Sequence, residues 1–213
     1  MRYLLIFLLI LPFTLIEAQK IGKLAEEKPP IDFPDNIWGV DIMFGDGGIG
    51  IGTFLRKSLT QDLTAFADFS FSESKDDKEV DYYDIWGNPY TVGKANRVFI
   101  MPLNLGLQYR LFSKTLTENL RPYISLGIGP TLVLTTPYED EFFKSFAKAE
   151  FQYAGGGYIG FGADFGLSQN NLIGLNIRYY VIRMFGGGVE NLEGRFRQNL
   201  NHFYITLNIG IMY

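Results

Sequence analysis

The sequence predicts an all-β fold: an eight-stranded antiparallel barrel that crosses a membrane, preceded by a cleavable signal peptide. Three observations carry this reading. From residue 36 onward, large apolar residues alternate with polar or small ones in eight segments, the period of a strand with one oily face. The connections between these segments alternate between short and long, as expected of tight turns at one end of a barrel and open loops at the other. The N-terminus carries Arg2, an apolar run to Ile16 broken by Pro12, and Ala18 before Gln19, the three regions of a secretory signal.

Length and composition set the bounds. The chain has 213 residues, enough for one domain of ordinary size, and is 47% hydrophobic with 24 Gly, a profile that excludes disorder. It contains no Cys, which excludes a disulfide scaffold and lipidation at an N-terminal cysteine. The formal net charge of -4 provides no basic field for nucleic acid.

Taken in order, residues 1–18 are the signal peptide and residues 19–35, QKIGKLAEEKPPIDFPD, an extended proline-containing leader on the periplasmic side. The barrel occupies residues 36–213, with strands at 36–45, 49–57, 63–73, 97–111, 122–136, 151–167, 172–185 and 201–213. Its first hairpin turns on Asp46-Gly47-Gly48, a favourable tight turn. Residues 58–62, 112–121 and 168–171 form the short turns, and residues 74–96, 137–150 and 186–200 the long loops. Pro102 and Pro130 fall inside strands and each removes a ladder donor, so a bulge or a strand end is expected at each.

Parity assigns two faces. Trp38, Val40, Ile42, Phe44, Leu103, Leu105, Leu107 and Tyr109 represent the apolar face. Asp41, Arg56, Asp68, Asn104, Gln108, Arg110, Asp164, Asn176, Arg178 and Asn208 share the other with most strand glycines. A soluble lipocalin-like carrier would turn the apolar face inward. Two features favour the inverse. An eight-stranded barrel is only just wide enough for side chains, so glycines opposite Arg110, Arg178, Tyr158 or Tyr204 make sense inside. The outward aromatics also form two bands, Trp38, Tyr109 and Tyr213 at the turn end and Phe44, Phe71, Phe99, Tyr153 and Phe203 at the loop end, as two lipid–water interfaces select. The lumen then holds a polar network of Asp41, Arg56, Asp68, Asn104, Arg110, Asp164 and Arg178. Its equal numbers of Asp and Arg imply paired charges that fill the lumen. A narrow gated channel for ions or small solutes is the alternative.

The final strand, HFYITLNIGIMY, sets Phe203, Ile205, Leu207, Ile209, Ile211 and Tyr213 on one face. With the signal peptide and RVFIMPLNLGLQYRLF (97–112), it resembles the small outer-membrane β-barrel proteins of Gram-negative bacteria, the eight-stranded OmpA/OmpX-like type and the broader porin-like barrels. The resemblance implies that these six residues are the signal read by the barrel-assembly machinery. It also implies that outer-membrane lipid and lipopolysaccharide surround the barrel, with a surface or envelope protein as a further partner. Tyr213 stands where the family more often has Phe.

Chemistry is sparse. The single histidine, His202, points inward near the loop end, and Ser70 and Ser72 lie at similar height. Lipid A-modifying barrel enzymes use His, Ser and an acid, but a His-x-Ser on one strand face is missing: the sequence is His202-Phe203-Tyr204. No catalytic residue, metal site or cofactor is therefore assigned. The loop 73–96 gathers Asp76, Asp77, Glu79, Asp81 and Asp84 with Tyr82, Tyr83 and Trp86, a recognition candidate whose acids lack the spacing of a calcium loop. Phe142 and Phe143 in the loop 137–150 join them as candidates, and Phe142 with Phe146 suits a short amphipathic turn on lipid. The run FGGGVENLEG (185–194) reads as a flexible loop. The sequence thus favours a non-enzymatic barrel with a structural or surface-interaction role through its long loops.

Overall fold

Alternation of bulky and small residues holds the segments extended, and pairing closes them. The computed structural model describes residues 34–87, 89–116, 120–166 and 170–213; the expected signal peptide and nearly all of the leader lie outside the described residues. In chain order the strands are β1 (Asn36–Gly45), β2 (Gly48–Ser58), β3 (Leu63–Glu73), β4 (Asp81–Tyr83), β5 (Pro89–Thr91), β6 (Asn96–Arg110), β7 (Leu120–Pro137), β8 (Glu150–Gly166), β9 (Asn171–Met184), β10 (Val189–Leu192), β11 (Arg195–Arg197) and β12 (His202–Met212). Eight of them close an antiparallel barrel in the order β1-β12-β9-β8-β7-β6-β3-β2. These are the eight expected from the sequence, with ends within two residues.

Two of the long loops differ from expectation. The 74–95 loop carries the β4–β5 hairpin, and the 185–201 loop carries the β10–β11 hairpin. The 138–149 loop holds a short helix, α1 (Phe142–Ser145), continued by a 3-10 turn. The first hairpin is a two-residue Asp46-Gly47 turn, with Gly45 paired to Gly48. Gly48 has φ +119°, a conformation only glycine adopts easily.

Neither internal proline makes a bulge. The β6–β7 register runs through Pro102↔Thr131 and Leu105↔Ile128 without offset, and β7–β8 is continuous through Pro130↔Gly155. The lost donors leave a gap in the ladder, and the pairs on both sides keep the strands in step.

Outside, Val40, Ile51, Leu105, Ile128, Ile159 and Ile209 are exposed as an apolar belt, the face a barrel turns to lipid. The one member of the expected aromatic bands that is buried is Phe99. It is buried because Phe142 and Phe146 cover it, with ring centroids 6.3 and 5.9 Å away. Inside, a small apolar cluster of Ile37, Phe54, Leu172 and Met212 lies toward the turn end. A larger one, including Met43, Phe66, Ile100, Tyr158, Tyr180 and Leu200, extends from the middle to the loop end. Aromatic rings take the space over the glycines. A Cβ would meet the Phe54 ring at 2.4 Å from Gly39 and the Phe66 ring at 2.3 Å from Gly106. Tyr158 faces Gly127 and Tyr204 faces Gly45, as expected, and Arg178 stands opposite Gly160 in the β8–β9 ladder, whereas Arg110 is paired with Tyr123. A guanidinium is drawn to carboxylates, whereas a flat ring fills the hollow left by a missing side chain.

Candidate functional site: lumen network and loop cap

The lumen network is built by parity. Inward positions on β1, β2, β3, β6, β8 and β9 bring Asp41, Arg56, Asp68, Asn104, Asp164 and Arg178 together, all buried. Arg56 Nη1 lies 2.9 Å from Asp164 Oδ2, and its guanidinium stacks 4.3 Å from the Phe54 ring. Arg178 Nη2 lies 2.9 Å from Asp41 Oδ2, while Nε donates to Asn176 Oδ1 at 3.1 Å. Asn208 Nδ2 donates to the other oxygen of Asp41. Asp68 accepts from Asn104 Nδ2 at 2.9 Å and from Tyr158 OH at 2.7 Å, with Arg178 Nη1 4.0 Å away. Such partners are what buried charges require.

Arg110 does not join the network. It is the last residue of β6, and its Nη2 donates to the Leu116 carbonyl at 2.7 Å in the turn that follows. The buried lumen charges among the described residues are therefore three Asp and two Arg, not equal numbers. Asp68 is the carboxylate held mainly by neutral donors. The space left among Phe54, Arg56, Phe66, Asp68 and Tyr158 is a cavity of about 10 Å³, room for about one water.

A second network ties the loops into a cap. Arg195 Nη1 and Nη2 reach Asp76 Oδ1 at 3.2 Å and Asp77 Oδ1 at 2.9 Å. Arg197 Nη1 donates to the Lys75 carbonyl at 2.8 Å. Asn191 Nδ2 donates to the Ser74 carbonyl at 2.8 Å, and Lys94 Nζ lies 2.8 Å from Glu79 Oε2. Burial raises the Asp76 carboxyl above its ordinary value, and the hydrogen bond it shares with Asp77 holds Asp77 below. The 185–194 run is thus docked rather than loose: its Val189 and Asn191 are buried. Cations engage the acids of the 73–96 loop in pairs: Arg195 bridges Asp76 and Asp77, and Lys94 lies between Glu73 and Glu79.

His202 sits where the cap meets the barrel. Its Nε2 lies 2.6 Å from Ser74 Oγ and its Nδ1 3.3 Å from Asp46 Oδ1. With the proton on Nδ1, the ring donates to Asp46 and accepts from the Ser74 hydroxyl. This is the Ser–His–Asp order of a hydrolase, but Ser74 is fully buried and no substrate carbonyl can approach it in this conformation. Ser72, one of the serines singled out in the sequence, instead accepts from Tyr204 OH at 3.2 Å. The sequence missed Ser74 and Asp46 because both stand at strand ends, where parity stops reporting direction.

The loop candidates fall on two separate elements. Tyr82 and Tyr83 lie on β4, and Tyr82 packs on Tyr90 across the hairpin with centroids 5.8 Å apart. Trp86, at the hairpin tip, is 81% exposed beside Ile85 at 90%. Phe142 and Phe143 lie on α1, where Phe142 leans on Phe99 and Phe143 is exposed. Of the terminal-strand residues, Phe203, Ile205, Ile209, Ile211 and Tyr213 are exposed on the outer wall, and Leu207 is half-buried.

No protein-family model matches the sequence, and no curated protein aligns with it significantly. Solved structures are similar to it. Neisserial surface protein A covers 84% of this chain and 94% of its own at TM-score 0.52, with 10% sequence identity. The N-terminal β-barrel domain of Pseudomonas aeruginosa OprF covers 84% and 98% at TM-score 0.47, with 14% identity. The attachment invasion locus protein Ail of Yersinia pestis covers 83% and 95% at TM-score 0.44, with 13% identity. The likeness is one of fold: the chain has the architecture of the eight-stranded outer-membrane barrels.

Proposed function

We propose that this chain is a non-enzymatic outer-membrane barrel of a Gram-negative bacterium, whose filled lumen is a scaffold and whose loop cap recognises a surface or envelope protein. The observation that carries this is the β4–β5 hairpin. Its base is clamped by ion pairs, and its tip holds Ile85 and Trp86 almost fully in solvent. Fixed, exposed aromatic and aliphatic side chains suit recognition, because little ordering entropy is lost on binding. The experiment is a photo-reactive amino acid at position 86 in intact cells. A discrete protein adduct, lost when Ile85 is changed to Ser, is the expected result; adducts with lipid alone would reject a protein partner.

The order Ser74–His202–Asp46 favours a second reading, a hydrolase whose cap opens. A fluorophosphonate probe tests it. Covalent labelling at Ser74 that vanishes in His202→Ala would establish the enzyme, and we expect no labelling. The filled lumen argues against a channel, and single-channel recording in planar bilayers is expected to show no stepwise conductance.

A further inference from the structure

On the outer wall of the barrel, where the 74–95 and 138–149 loops meet, lies a cavity of about 230 Å³. Its floor is Phe99, which stacks on Phe71 with centroids 5.2 Å apart in the aromatic band of the loop end. Glu73 and Arg97 follow Phe71 and Phe99 on the same outward face, two residues nearer the loops. Two residues of strand rise by roughly 6–7 Å. The cavity therefore opens at the height of lipid headgroups rather than of acyl chains.

The charges of its walls are not all paired. Lys75, Lys94 and Arg97 face Glu73 and Asp81. Lys75 is paired with Asp81 at 3.2 Å, and Lys94 with Glu79 at 2.8 Å and Glu73 at 3.6 Å. Arg97 is different. Its Nη1 donates to the carbonyls of Pro137 at 2.9 Å and Asp140 at 3.3 Å. Its guanidinium lies over the Tyr138 and Phe142 rings, 4.7 and 5.7 Å from their centroids. Among the described residues it has no carboxylate partner. Two carbonyls and two rings thus hold a guanidinium in one orientation and leave its charge uncompensated beside the lipid. A planar cation so fixed is suited to phosphate, and flanking aromatic faces suit a sugar ring.

We propose that this cavity seats the phosphorylated sugar headgroup of a glycolipid in the adjoining leaflet, with Arg97 on the phosphate. The proposal rests on the outer-membrane reading above, since that leaflet is where such a lipid would be met.

Native mass spectrometry of the mature protein in detergent, titrated with bisphosphorylated and with dephosphorylated lipid A, tests the site. The wild type is expected to retain one bisphosphorylated lipid, Arg97→Gln to bind it about tenfold more weakly, and Lys57→Gln, an exposed change at the turn end, to match the wild type. Equal binding by Arg97→Gln, or equal retention of dephosphorylated lipid, overturns the proposal. Competition by inorganic phosphate at millimolar concentration assigns the site to a free anion and overturns the lipid. The heat-dependent gel shift of a folded barrel checks each variant. Should Arg97→Gln not fold, Lys75→Gln in the exposed loop carries the same comparison, with weaker binding expected. Cell fractionation reads the outer-membrane assignment separately: a protein that binds the lipid in vitro but fractionates elsewhere retains the site and loses the cellular reading.

Discussion

Aspartates meet arginines in two places in this molecule. In the lumen, Asp41 with Arg178 and Asp164 with Arg56 join strands that the ladder already holds. In the cap, Asp76 and Asp77 with Arg195 join two loops that share little ladder pairing. The same pair of side chains therefore has opposite roles. In the lumen, backbone geometry positions the charges, and the charges must satisfy one another because they are buried. In the cap, the charges position the backbone. Breaking a pair should accordingly unfold the barrel in the first case and only loosen a loop in the second.

The largest effect is expected for Arg178→Met. It leaves the Asp41 charge with only the neutral Asn208 donor and removes the cation nearest Asp68, and loss of one partner of a buried pair costs about 3–5 kcal/mol. The urea midpoint of the heat-dependent gel shift should fall accordingly, and adding Asp41→Leu should recover part of the loss. Arg197→Ala should cost about 1–3 kcal/mol, confined to the cap. Hydrogen exchange at residues 74–95 should accelerate while the global midpoint stays in place; a fall in that midpoint would erase the distinction between the two regions.

A smaller effect is pH-dependent. The Thr91 hydroxyl, which donates to Asp81 Oδ1 at 2.7 Å, and then Lys75 hold Asp81 below the ordinary carboxylate value. Because the folded value is the lower one, the stabilisation is fully present above about pH 4 and is lost as pH falls through the folded value. Thr91→Val should therefore move acid loosening of the β4–β5 hairpin to higher pH, as read by limited proteolysis. Smallest of all is Lys144→Ala. Lys144 and Glu141 pair at 2.6 Å with both side chains largely exposed, so the change should stay within about 0.5 kcal/mol.

The same contrast explains what the sequence could tell. Period two is a property of strands, so it yielded the eight barrel strands, the outward belt and six of the seven lumen residues. It failed at Arg110, where the strand ends and the side chain turns to the next loop. It also did not separate Phe54 and Phe66 from the polar positions around them, although the glycines facing those rings were a usable sign. The cap has no period to read. Its loop-to-loop partners stand far apart in the chain, Asn191 by 117 positions from Ser74. The opposite charges of residues 76–81 and 195–197 were the one hint that the two loops meet. For Arg97, polarity on an otherwise apolar face was the available signal.

The seam between β1 and β12 bears on how the molecule forms. Asn36 and Tyr213 exchange backbone hydrogen bonds of 3.3 and 2.9 Å, so the ends of the barrel segment are neighbours. Until β12 arrives, β1 and β9 each expose an unpaired edge, which in lipid is costly and in water invites aggregation. The contact that seals the cylinder spans the longest stretch of chain and carries the largest closure entropy. Pairings between adjacent segments can accumulate in any order, but the final one is all or none, and it makes assembly slow and its product durable.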